Sequence, residues 1–82
     1  MKIKKLTNQN FETSSFYLSC FLIASGLPLI NTKRENNKVV WIFENSPDRE
    51  KLIENFYNGS AQVSAIRLIE IIKRYKALIK TY

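Results

Sequence analysis

The chain has no histidine among its 82 residues. That removes the usual general base at neutral pH and the commonest metal ligand. Ser-His-Asp and Cys-His arrangements are closed to it. A single cysteine, Cys20, excludes an internal disulfide and a thiol-only metal site. Cys20 lies in an apolar run, where a lone thiol is expected to act as a small buried hydrophobe, and an intracellular setting is expected with it. Glycine and proline number two each, too few for a long flexible linker. The charged start MKIKKLTNQN is not followed by an apolar h-region, so no secretory signal is expected. The longest apolar run, residues 16–24, is interrupted by Ser19 and falls well short of the roughly 20 residues that cross a bilayer, so no membrane insertion is expected.

Carboxylates are also scarce. The seven are Glu12, Glu35, Glu44, Asp48, Glu50, Glu54 and Glu70. Most have a local explanation as a first-turn charge, a cross-strand partner or a helix pair. No spacing marks a carboxylate metal cluster, and no glycine-rich loop could cradle a phosphate. The expectation is that the chain is not an enzyme, with no catalytic, cofactor-binding or metal-binding residues. The one arrangement left open joins carboxylates of separate elements, such as Glu12 with Glu44.

What is present is positive charge. Thirteen Lys and Arg against seven acids leave a net charge of +6 and a pI near 9.7. Such a balance favours anionic partners: nucleic acid, an anionic membrane face or an acidic protein. With 45% hydrophobic and 24% charged residues the chain reads as one globular domain, residues 11–82, behind a basic lead-in of residues 1–10. Met1 to Leu6 alternates briefly, so the lead-in is expected to be either a tail or a short edge strand, with Lys2, Lys4 and Lys5 in it.

Hydrophobic periodicity predicts the rest. A first helix should start near Thr13 or Ser14, either of which can cap it, and run to Gly26, a residue suited to the left-handed position after a helix. Phe16, Tyr17, Cys20, Phe21, Ile23 and Ala24 share one side. Leu18 and Leu22 fall among the serines opposite, so the helix is apolar nearly all round. Either the rest of the domain covers it, or Leu18 and Leu22 form a dimer or partner face.

Two strands follow, about Leu29–Arg34 and Lys38–Glu44, joined by Asn36-Asn37. Asparagine tolerates the positive φ that a type I′ turn needs at both centres. That register pairs Glu35 with Lys38, Arg34 with Val39, Lys33 with Val40, Thr32 with Trp41 and Ile30 with Phe43. It places Trp41 and Phe43 on the core face. The stretch NSPDREKLIENFYNG predicts a second helix, capped by Ser46, opening on Pro47 and ending at Asn58-Gly59. Ser64 should cap a last helix over Ala65–Lys80. On a wheel of about 100° per residue, Leu68, Ile71, Ile72, Tyr75, Leu78, Ile79 and Tyr82 form its apolar stripe. Arg67, Glu70, Lys73, Arg74, Lys76 and Lys80 occupy most of the rest, with Glu70 and Arg74 spaced as an i,i+4 pair. The predicted fold is α+β in the order α-β-β-α-α, an antiparallel hairpin packed on helices.

The candidate nucleic-acid contacts are Lys33, Arg34 and Lys38 at the hairpin tip and Arg67, Lys73, Arg74, Lys76 and Lys80 on the last helix. Phosphate binding there would be salt-sensitive and mostly sequence-blind. The tip alone is too weak for this, since Glu35 offsets one of its three cations. The two patches must share a face to act together. Trp41 is expected in the core and not as a base-stacking platform. The order of elements excludes a winged helix, because no helix-turn-helix precedes the hairpin. The expected function is that of a small basic accessory protein that binds nucleic acid non-specifically or works within a nucleoprotein complex. The alternative is a protein-interaction module or homodimer built on Leu18 and Leu22 or on the hairpin edge.

Four stretches, FETSSFYLSCFLIASGLPL, VVWIFEN, SPDREKLIENFYNG and VSAIRLIEIIKRYKALI, carry a resemblance. From Phe11 to Ile79 the chain resembles a small family of uncharacterised single-domain proteins seen in phages and reduced-genome uncultured bacteria. The matching features are scaffold features. The resemblance implies an intracellular or viral accessory protein and transfers no site.

Overall fold

The structure, a computed structural model, describes residues 10–80. The lead-in expected as a tail or short edge strand, with Lys2, Lys4 and Lys5, lies outside the described residues, as does Tyr82. The elements are β1 (Phe11–Thr13), α1 (Phe16–Ala24), β2 (Leu29–Glu35), β3 (Lys38–Phe43), α2 (Arg49–Asn58) and α3 (Ala65–Lys80). The fold is α+β, and the order α-β-β-α-α holds behind one short leading strand.

The hairpin forms as its turn chemistry dictates. Asn36 and Asn37 both take positive φ, 49° and 67°. Five pairs follow in order: Glu35 with Lys38, Arg34 with Val39, Lys33 with Val40, Thr32 with Trp41 and Asn31 with Ile42. The expected pairing of Ile30 with Phe43 is wrong. An irregularity between Leu29 and Asn31 puts Leu29 opposite Phe43 and ejects Ile30, which is 51% exposed. An extra residue of this kind flips the alternation and is common at sheet edges.

Strand β1 pairs with β3 on the other side, Phe11 with Phe43 and Thr13 with Trp41, so the antiparallel sheet runs β1-β3-β2. Thr13 is therefore a strand residue. Helix α1 begins later, at Phe16, with Ser15 as the cap that accepts from the Leu18 N–H at 3.3 Å. Thr13 still contributes, because its hydroxyl accepts from the Ser15 N–H at 3.1 Å.

At the far end of α1 the Gly26 N–H donates to the Ile23 carbonyl and the Leu27 N–H to the Leu22 carbonyl, both at 3.0 Å. These are the two bonds of a Schellman cap, which needs the positive φ of 97° found at Gly26. Helix α2 starts at Arg49, two residues beyond Pro47. Pro47 and Asp48 form a turn instead, in which the Ser46 hydroxyl accepts from the Asp48 N–H at 3.2 Å.

Leu18, Phe21, Leu22, Leu27, Trp41 and Phe43 make the core. Helix α1 is its centre. Phe16 meets Trp41 of the sheet at 5.9 Å, Phe21 meets Phe56 of α2 at 5.3 Å, and α3 packs along α1. Trp41 is closed from the other side by Tyr75 of α3, edge-on at 5.5 Å, and is 1% exposed. Surrounded in this way, Leu18 (3% exposed) and Leu22 (fully buried) are unavailable to a partner, and a face built on them is excluded by the fold. Ser19, fully buried beside them, satisfies its hydroxyl by donating to the Ser15 carbonyl one turn back at 2.8 Å. Among the described residues no helix is long and apolar enough to cross a membrane.

Candidate interaction surface

The two basic patches part company in the fold. Trp41 turns toward α1 and α3, so residues paired with its neighbours in β3 turn the other way. Lys33, opposite Val40, lies on the outer face of the sheet, as do Glu35 and Lys38. Lys33 Nζ bridges two carboxylates there, Glu35 at 3.3 Å and Glu12 of β1 at 3.5 Å. The hydrogen bond to Glu35, then the charges of Glu12 and Glu35, raise its pKa above the ordinary lysine value. Glu12 is thereby spent on Lys33. Arg34, opposite Val39, lies on the same face of the sheet as Trp41 and is already engaged in an interaction.

Helix α3 is arranged differently. The Ser64 hydroxyl accepts from the Arg67 N–H at 3.3 Å and caps its first turn. Arg67 then reaches back, and its Nε donates to the Ala24 carbonyl at 3.2 Å. That carbonyl belongs to the open end of α1, where a cation also meets the negative pole of the helix dipole. Arg67 is a structural clamp as well as a surface cation. Lys73, Arg74, Lys76 and Lys80 are exposed and form no ion pair among the described residues. The expected Glu70–Arg74 pair is not closed.

The structure therefore brings together Lys73, Lys76 and Lys80 along α3, sets Arg74 about 100° or more round the helix from each of them, and separates them from Lys33 and Lys38. It also exposes two residues that a one-stripe wheel passes over. Ile66 is 70% and Ile69 52% exposed. They line up with the three lysines at intervals of three and four residues, directly opposite Ile71, the buried residue of α3. The 3-4-3-4 spacing is visible in the sequence, but the inner stripe with its larger aliphatic count draws the eye first. Leu78, assigned to that inner stripe, is 45% exposed.

Other features are already accounted for. Burial pushes the Cys20 thiol up to about 11, away from reactivity. An open depression of about 480 Å³ is lined by Asn45, Ser46, Pro47, Arg49 and Glu50. Its cation among the described residues is committed: Arg49 lies 4.7 Å over the Phe11 ring and donates from Nε to Asn45 Oδ1 at 3.1 Å. Among the described residues no group of three or more Cys, Asp or Glu side chains is placed to hold a metal ion.

With this geometry in place, comparison with known families identifies the chain: it belongs to the family of the domain of unknown function DUF5659, whose model matches residues 8–81. Comparison with curated proteins and with solved structures finds no match.

Proposed function

We propose that the chain is a small non-catalytic accessory domain that works by docking on an anionic partner within a nucleoprotein complex, with the outward side of α3 as the contact surface. One observation carries this reading: Lys73, Lys76 and Lys80 share one exposed side of α3 with no ion pair among the described residues, while the hairpin cations face away or are already engaged. Direct contact with nucleic acid is the simplest form of the reading. Phosphates would be met by charge neutralisation with counterion release, without base readout. The resemblance to phage and reduced-genome bacterial domains supports placing this role inside a cell or an infected cell. A protein partner is the second form, favoured by Ile66 and Ile69, which phosphates do not need.

Anisotropy titrations of a labelled short DNA and a labelled short RNA, at low and moderate salt, test the first form. Binding at low salt that weakens steeply with salt is expected, with a slope that falls in Lys73→Glu/Lys76→Glu and stays unchanged in Lys38→Glu. Absence of binding to both nucleic acids at low salt would overturn direct nucleic-acid contact.

A further inference from the structure

We infer that the seam Ile66, Ile69, Lys73, Lys76 and Lys80 of α3 is a docking site for an acidic amphipathic helix of another protein; the inference rests on the α3 contact surface proposed above. The spacing is that of the a and d positions of a heptad, the pattern one helix uses to receive another. The seam is polarised, with two exposed isoleucines in its first half and, in its second, three lysines that form no ion pair among the described residues. Ala65 and Ala77 flank it, small enough for a second helix to come close.

The charge pattern selects the occupant. A second copy in parallel would set isoleucine on isoleucine but lysine on lysine three times over. A second copy in antiparallel would bury each isoleucine against a lysine and set Lys73 on Lys73. Like charges in register oppose both arrangements. Nucleic acid would satisfy the lysines and leave the isoleucines in water. A helix with an apolar first or last half and carboxylates along the rest satisfies all five positions at once.

Two synthetic peptides of about three heptads serve as probes, one for each orientation, with leucine at the a and d positions facing Ile66 and Ile69 and glutamate at those facing the lysines. Each is titrated calorimetrically into the full chain, beside a short single-stranded DNA. One peptide is expected to bind, with affinity that drops in moderate salt. In Ile66→Ser/Ile69→Ser it should weaken by roughly 10-fold or more, because two buried aliphatics are lost. DNA binding should be unchanged in that variant, and its thermal unfolding should match wild type, since both residues are exposed. Peptide affinity that is equal in wild type and Ile66→Ser/Ile69→Ser overturns the inference, because charge alone then explains binding. DNA binding with neither peptide binding also overturns it and leaves the α3 surface standing. No binding of any probe overturns both.

Discussion

Helices α1 and α3 both carry apolar residues off their main stripe, and those residues meet opposite fates. They are Leu18 and Leu22 on α1, Ile66 and Ile69 on α3. In α1 these are among the most buried residues of the domain, because the sheet, α2 and α3 close around it. In α3 they stand in solvent, because α3 is an outer layer that uses only the side bearing Ile71 and Tyr75 to cover the core. Apolar residues off the main stripe thus lie at depth in α1 and stand open in α3. Which of the two depends on how many elements surround the helix, and that number is a tertiary property.

The sharpest way to break this contrast is to remove bulk from each helix in turn. Leu22→Ala should cost about 2–5 kcal/mol of unfolding free energy in urea, as expected for a large-to-small change at a fully buried site. In a domain of 82 residues that is a large share of the whole. A loss below about 1 kcal/mol would mean that α1 is not enclosed.

Charge reversal comes next. Lys73→Glu/Lys76→Glu should weaken binding of an anionic partner by roughly 10-fold or more, about 1.4 kcal/mol, with unfolding little changed. If the Lys38→Glu variant weakens it as much, the two basic regions act together after all. Ile66→Ser/Ile69→Ser should stay within about 0.5 kcal/mol of wild type in stability, the usual range for exposed positions.

The smallest effect is expected on the outer face of the sheet. Lys33 is exposed and its pKa is raised by Glu35 and Glu12. A raised lysine contributes stability below its ordinary pKa and loses it as pH rises through the raised value. Its contribution is therefore flat near neutrality, and Glu12→Gln should leave neutral-pH unfolding unchanged within error. A measurable shift there would give the hairpin patch a structural weight that its exposure does not predict.

Much of the fold was legible in local chemistry. Asn36-Asn37 specified the turn and, through it, the pairs from Glu35–Lys38 to Thr32–Trp41. Gly26, Ser64 and Asn58-Gly59 marked helix ends by the conformations they allow. The misses have physical reasons. Strand β1 has three residues, too few to show a period, and Thr13 looks like a cap because threonine serves equally at caps and in strands. The irregularity beside Ile30 leaves no composition signal, since Leu29-Ile30-Asn31 fits either register. At the surface, the cations of α3 were readable one by one, but their separation from Lys33 and Lys38 depends on which side of the sheet α3 covers.

The most direct measurement is an amide-resolved NMR titration of the full chain with an anionic helical peptide. Shifts centred on Ile66, Ile69, Lys73, Lys76 and Lys80, fading as salt is added, are the predicted result. Shifts centred on Lys33 and Lys38, with α3 unmoved, would contradict it.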